Sequence, residues 1–124
     1  MKILLFGASG RLGGACVRGL SDQTLITPSR AHVDLNNESS VLTYIDSVHP
    51  DLVINATAYN QVDAAESVEG RLLAKQMNVE IPDRLARVCA ERDIPFIHFS
   101  TDYVFDGLKT DGYRETDVPH PINA

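Results

Sequence analysis

Hydrophobic positions along this chain fall into short unbroken runs, separated by longer stretches in which they recur every three or four residues. Residues 3–6 (Ile-Leu-Leu-Phe), 25–27, 52–56 (Leu-Val-Ile-Asn-Ala) and 95–100 (Pro-Phe-Ile-His-Phe-Ser) read as strands. Each is apolar, β-branched or aromatic, and short enough that a strand suits it better than a helix. Residues 11–20 between the first two runs predict a helix ended by Ser21 and Asp22. Asn36 or Asn37 can cap a second helix, with Val41, Leu42, Ile45 and Val48 at helical spacing until Pro50. A long helical stretch follows over 64–92, with Met77, Ile81, Leu85, Val88 and Cys89 along one side. Pro82 falls inside it and is tolerable only where a helix restarts. Strands alternating with helices in this way predict an α/β fold with a parallel sheet and right-handed crossovers. About four strands in the order 3-2-1-4 would make the first part of a doubly wound sheet. Residues 103–124 are rich in Asp, Gly and Pro and show no regular period, so the chain divides into a unit over 1–102 and an irregular tail.

Composition narrows the function classes. A chain of 124 residues supports one domain with a modest core. No apolar run is long enough to cross a membrane, and Lys2-Ile-Leu-Leu-Phe6 leads into glycines rather than a cleavage site, so a cytoplasmic location is expected. A net charge of −6 with scattered basic residues argues against a nucleic-acid surface. Cys16 and Cys89 both lie in helical patterns with no C-x-x-C spacing, which predicts free thiols in a reducing compartment and no metal site.

The chemistry starts where the first strand ends. Gly7, Gly10 and Gly13 are spaced three apart, directly after the strand and before the first helix. Gly7 permits a sharp turn, Gly10 lets the main chain approach a pyrophosphate, and Gly13 lets the helix pack closely. The helix N-terminus favours the negative charge, so the loop predicts dinucleotide binding on a Rossmann-type sheet. After the second strand the chain carries Ser29 and Arg30 in place of an acidic residue, and Arg11 sits inside the glycine loop. Arginine forks match phosphate oxygens, which favours a 2′-phosphate and hence NADP(H) over NAD(H). Asp34 lies about twenty residues past the last glycine, where an adenine contact or a role at the helix start suits it. Small residues in Asn55-Ala-Thr-Ala-Tyr59 would let a cofactor lie across the end of the third strand. Asp63 and Glu66 read first as helix-start carboxylates. In Phe99-Ser-Thr-Asp-Tyr-Val-Phe-Asp-Gly107, Ser100 and Thr101 are expected on the strand beside the glycine loop. A hydroxyl there can bond a carbonyl substrate; a polar strand end followed by a turn is the other reading.

These motifs occur together and in order, with Asn78 between them and Glu115-Thr116-Asp117, Pro119 and Pro121 after them. In that combination the chain resembles the dTDP-4-dehydrorhamnose reductase family of extended short-chain dehydrogenases/reductases. The resemblance implies an NADPH-dependent oxidoreductase that reduces the 4-keto group of a dTDP-linked 6-deoxysugar to give dTDP-rhamnose. It also implies that Gly10, Arg11 and Leu12 contact cofactor phosphates and that Asp34 and Leu35 contact the adenine. Ala58, Tyr59 and Asn60 would line the path to the nicotinamide, although the family often has Thr where Asn60 stands. Gly7, Ser9, Gly13, Arg30 and Ala56 complete the expected cofactor set, and Asn78 matches a helix asparagine that orients the active site. Thr101 would take the catalytic hydroxyl role and Asp102 would sit beside the sugar. The family's proton donor, a tyrosine with a lysine four residues on, is expected just after Ala124, on the way to a substrate domain. Tyr103 and Tyr113 have no lysine at that spacing, so the 124 residues alone are expected to be catalytically silent. The partner implied is a nucleotide sugar, and the apolar strand over 96–100 invites self-association. The alternative is a non-enzymatic NADP-binding regulatory module similar to the β-subunit of methionine adenosyltransferase.

Overall fold

Four parallel strands form the centre of the structure, a computed structural model that describes residues 1–122. The elements follow the alternation of the sequence: β1 (Lys2–Phe6), α1 (Arg11–Gly19), β2 (Thr24–Ile26), α2 (Glu38–Val48), β3 (Leu52–Asn55), α3 (Val62–Ala65), α4 (Val68–Lys75), α5 (Ile81–Ala90) and β4 (Phe96–His98). The α/β doubly wound class is as expected, but the strand order is β2-β1-β3-β4 rather than 3-2-1-4. Burial explains the difference. β1 and β3 are covered on both faces, whereas β2 is three residues long and partly exposed. The two richest apolar runs therefore take the middle, and the short strands take the edges. In register, Ile3 to Phe6 pair with Leu52 to Asn55.

This order reverses direction at β1. The chain moves outward from β1 to β2, crosses back to β3, and continues to β4, so right-handed crossovers put α1 on one face and α2 with α5 on the other. Leu4, Phe6 and Val53 pack with Val41 and Ile45 of α2 and with Ile81, Leu85, Val88 and Cys89 of α5. Ile3, Leu5 and Ile54 pack on the other face with Cys16 and Leu20. Burial pushes the Cys89 thiol up to about 11, so it packs as an apolar side chain. Both cysteines are free thiols, and Cys16 is only half-buried. No helix among the described residues is long and apolar enough to cross a membrane.

Of the two asparagines that could cap α2, the structure uses the second. Asn37 Oδ1 accepts the Ser40 N–H at 3.1 Å to start α2, and His49 ends it with φ 50° before Pro50. The long helical stretch does restart at its proline. A π-helical turn over Gln76–Glu80 joins α4 to α5, and Pro82 falls in the first turn of α5. The missing N–H of Pro82 thus meets a wider turn instead of breaking a continuous helix.

Beyond β4 a 3-10 turn (Asp102–Val104) opens the tail, which has no further regular element through residue 122. It is nevertheless tied to itself. Asp106 accepts from the Tyr113 hydroxyl, the Leu108 N–H and His120 Nδ1, while Tyr113 stacks on Phe105 at 4.1 Å. The His120 N–H returns to the Val104 carbonyl at 2.8 Å, and Lys109 Nζ pairs with Asp117 at 2.6 Å. The last two positions of the expected tail, 123 and 124, lie outside the described residues.

Candidate cofactor crevice

The reversal of strand order puts the topological switch point at the carboxyl ends of β1 and β3, where open α/β sheets bind ligands. Gly7 leaves β1 at φ +82°, a conformation side chains with a Cβ resist. A Cβ there would lie 2.6 Å from the Ala56 carbonyl carbon and 2.8 Å from the Thr57 nitrogen. The turn is therefore pressed directly against the segment leaving β3. The Gly10 N–H donates to the Gly7 carbonyl at 3.0 Å, and a Cβ on Gly13 would fall 2.1 Å from that same oxygen. Gly13 thus lets α1 close on the turn itself. Gly10 differs: a Cβ there would meet only the Gly7 oxygen, at 3.4 Å, which leaves its outer side open.

That open side faces an uncapped helix end. α2 and α4 each begin with a side-chain cap and an acidic residue in the first turn. α1 has neither: Gly10 contributes no side chain, and no carboxylate follows it. Its first N–H groups and partial positive charge remain available to an anion. Ser9, Arg11 and Leu12 are exposed around this end. Arg11 and Arg30 stand after adjacent strands, and among the described residues neither makes an ion pair or a side-chain hydrogen bond. By contrast Arg71, Arg87 and Arg92 are paired with carboxylates. An uncapped helix N-terminus with Arg11 at its start, and a second free guanidinium after the adjacent strand, suit a phosphate-rich ligand.

Two asparagines hold the segment that flanks the glycine turn. Asn55 is fully buried at the end of β3. Its Oδ1 accepts the Thr57 N–H at 3.1 Å and the Thr57 hydroxyl at 2.6 Å. The amide Nδ2 is therefore the donor to His98 Nδ1 at 3.2 Å, which ties the ends of β3 and β4 together. Asn78 comes from the π-helical turn: its Oδ1 accepts the Tyr59 N–H at 2.8 Å, and its Nδ2 donates to the Tyr59 carbonyl at 3.0 Å. Residues 56–60 are thus clamped at one end by Asn55 and at the other by Asn78, with Ala56 bonded to the Phe6 carbonyl at 3.0 Å. The sequence pointed to Asn78 but not to Asn55 or His98. A polar residue closing a β-branched run was the available sign of the former.

The remaining expected residues are placed as follows. Asp34 Oδ1 accepts the Asn36 N–H at 2.9 Å, so its carboxylate shapes the loop before α2. Leu35 is half-buried in that loop, while Ala58 and Asn60 are exposed. Thr101 and Asp102 lie past β4, with β3 standing between β4 and β1; Ser100 and Thr101 are not beside the glycine loop as expected. The short edge strand occupies the outer place that the sequence reading gave to the third strand. The Thr101 hydroxyl accepts the Tyr103 N–H at 3.2 Å and donates to Asp102 Oδ1 at 3.3 Å.

Comparison with known proteins supplies the family. The model described as RmlD substrate binding domain matches residues 1–124. The dTDP-4-dehydrorhamnose reductase of Burkholderia thailandensis is 42% identical over 125 residues, which cover 100% of this chain and 41% of that protein. The probable low-salt glycan biosynthesis reductase Agl14 of Haloferax volcanii is also 42% identical, over 98% of this chain and 44% of that protein. Among solved structures, the dTDP-4-dehydrorhamnose reductase of Bacillus anthracis in complex with NADP superposes with a TM-score of 0.89 at 29% identity, covering 98% of this chain and 43% of that one. The chain spans about two-fifths of the length of the curated relatives it matches. Since the family model runs the length of the sequence, and relatives 42% identical over nearly all of it carry the reductase name, the chain belongs to the RmlD substrate binding domain family.

Proposed function

We propose that this chain is the cofactor-binding part of an NADPH-dependent dTDP-4-dehydrorhamnose reductase, acting in the cytoplasm on a dTDP-linked 4-keto-6-deoxysugar. The observation that carries the cofactor is the Gly7 turn pressed on Ala56 and Thr57 beside the uncapped end of α1. The NADP complex of the Bacillus anthracis relative supports the same reading. NADPH, when bound, supplies the hydride that reduces the sugar ketone.

The residues of the chain divide the work. Gly7, Ser9, Gly10, Arg11, Leu12 and Gly13 hold the pyrophosphate, largely through main-chain N–H groups. Arg30, with Arg11, takes the 2′-phosphate, and the loop of Asp34 and Leu35 takes the adenine. Ala56, Ala58, Tyr59 and Asn60, kept in line by Asn78, form the wall toward the nicotinamide. Thr101 directs its hydroxyl to the substrate carbonyl, and Asp102 stands beside the sugar. Residues 1–102 form the nucleotide-binding unit, and 103–124 lead toward the part that grips the sugar. No tyrosine in the sequence has a lysine four positions on, so the proton donor is not among these 124 residues. A positioned general acid contributes about 10²–10⁴-fold, and without it turnover is negligible.

Cofactor choice tests the phosphate assignment. Wild-type chain titrated with NADPH and NADH is expected to prefer NADPH, and Arg30→Ala to lose most of that preference while binding NADH unchanged. An Arg30→Ala variant with the wild-type preference contradicts it.

A further inference from the structure

α5 packs on the face of the sheet opposite α1, yet one of its side chains reaches the loop that leaves β2. Arg84 Nη1 donates to the Leu35 carbonyl at 2.6 Å, across 49 positions of sequence. The other groups of that loop are satisfied from nearby: the Asp34 N–H by Ser40 Oγ at 3.0 Å, the Asn36 N–H by Asp34 Oδ1 at 2.9 Å, and the Asn37 N–H by the Asp34 carbonyl at 3.1 Å. Val33 and Leu35 pack the loop onto the core, and the Leu35 carbonyl is where α5 bonds its backbone. The holding residue carries a penalty, because Arg84 Nε is buried without an acceptor among the described residues. A buried donor left unpaired destabilises a fold, and a methionine of similar length would fill the space without it. Packing alone does not account for an arginine here.

The strand order supplies the reason. A dinucleotide with its pyrophosphate at Gly10 to Leu12 lays its adenosine toward β2, the neighbour of β1 on that side. That is the side of the loop Arg84 secures. We propose that Arg84 is a positioning residue for the adenosine end of the cofactor, fixing Leu35 and its loop from α5; the role rests on the cofactor reading above.

The test uses the full chain with adenosine 2′,5′-bisphosphate, which carries the adenosine end alone, measured by calorimetry beside thermal melting. Arg84→Met is expected to weaken binding about fivefold, the equivalent of one net hydrogen bond, with the melting temperature unchanged or raised. Arg84→Lys keeps a donor of similar reach and is expected to bind within about twofold of wild type. Wild-type affinity in Arg84→Met overturns the proposal. So does a lysine variant no better than methionine, or a fall in melting temperature that matches the loss of binding, since either reduces Arg84 to a structural residue. A wild-type chain that does not bind the bisphosphate sinks the cofactor reading itself, and this inference with it.

Discussion

Gly10 and Gly13 are separated by three positions and by what a methyl group would meet. At Gly13 it would overlap the Gly7 oxygen at 2.1 Å; at Gly10 it would sit at 3.4 Å from the same atom, with φ −78° and ψ 173° open to any residue. Gly13→Ala is therefore expected to destabilise the chain by about 1–3 kcal/mol, the usual cost of overpacking. Gly10→Ala should leave the melting temperature nearly unchanged, because neither strain nor a clash is introduced. NADPH affinity should nevertheless fall in Gly10→Ala, since the methyl occupies the approach of the pyrophosphate. Thermal melting and NADPH titration of the two variants separate the roles. Equal destabilisation by both would refute the division between a turn-closing and a ligand-facing glycine. These glycines were legible in the sequence because close approach and positive φ exclude other residues. Asn55, His98 and Arg84 were not, because their bonds join positions 43 to 49 residues apart and leave no local period.

At the scale of elements, the alternation of short apolar runs with helical spacing identified every strand, α1 and α2, but the stretch expected over 64–92 breaks at Ser67, whose side chain caps a separate α4. The order of the strands was the part misread. Burial held the answer: three successive buried residues in Val53–Asn55 against a three-residue, partly exposed β2 stopped near Pro28. Pro82 meets the condition set for it by falling in the first turn of α5, but the π-helical turn before it has no composition of its own. It arises where a proline without an N–H follows a helix that must still carry Asn78 to Tyr59. The tail looked irregular from its Asp, Gly and Pro content, and irregular it is, yet a few carboxylates organise it. The Tyr113 hydroxyl holds the Asp106 carboxyl below its ordinary value of 3.8, helped by the Leu108 N–H and His120. Lys109 and the Arg114 N–H do the same for Asp117. A carboxylate depressed in the folded state stabilises it above the ordinary value, and that stabilisation is lost as pH falls through the depressed one. The tail is thus expected to stay closed above about pH 4 and to open in stronger acid. Exchange of the His120 amide, followed by NMR down to that range, checks this. Loss of protection near neutral pH would show that the carboxylates are not what holds it.

At the scale of the whole molecule, helices cover both faces of the sheet, and the short strands β2 and β4 form its edges. β4 ends the sheet among the described residues, and Ile97 and Phe99 beside it are each 44% exposed. An apolar strand edge of this kind pairs readily with another chain. We propose that the 124-residue chain self-associates through residues 96–100, so its sedimentation coefficient should rise with concentration and Ile97→Lys should abolish the rise. A strictly monomeric profile at high concentration contradicts the assignment. We propose that the glycine turn, the free helix end and the unpaired arginines hold a cofactor whose hydride these residues alone do not deliver. Calorimetric titration of the chain with NADPH, followed by addition of a dTDP-4-keto-6-deoxysugar while absorbance of the reduced nicotinamide is monitored, tests it most directly. Saturable binding of one NADPH per chain, with no consumption of it, is expected. Absence of binding, or enzyme-catalysed oxidation of the NADPH by this chain, would contradict it.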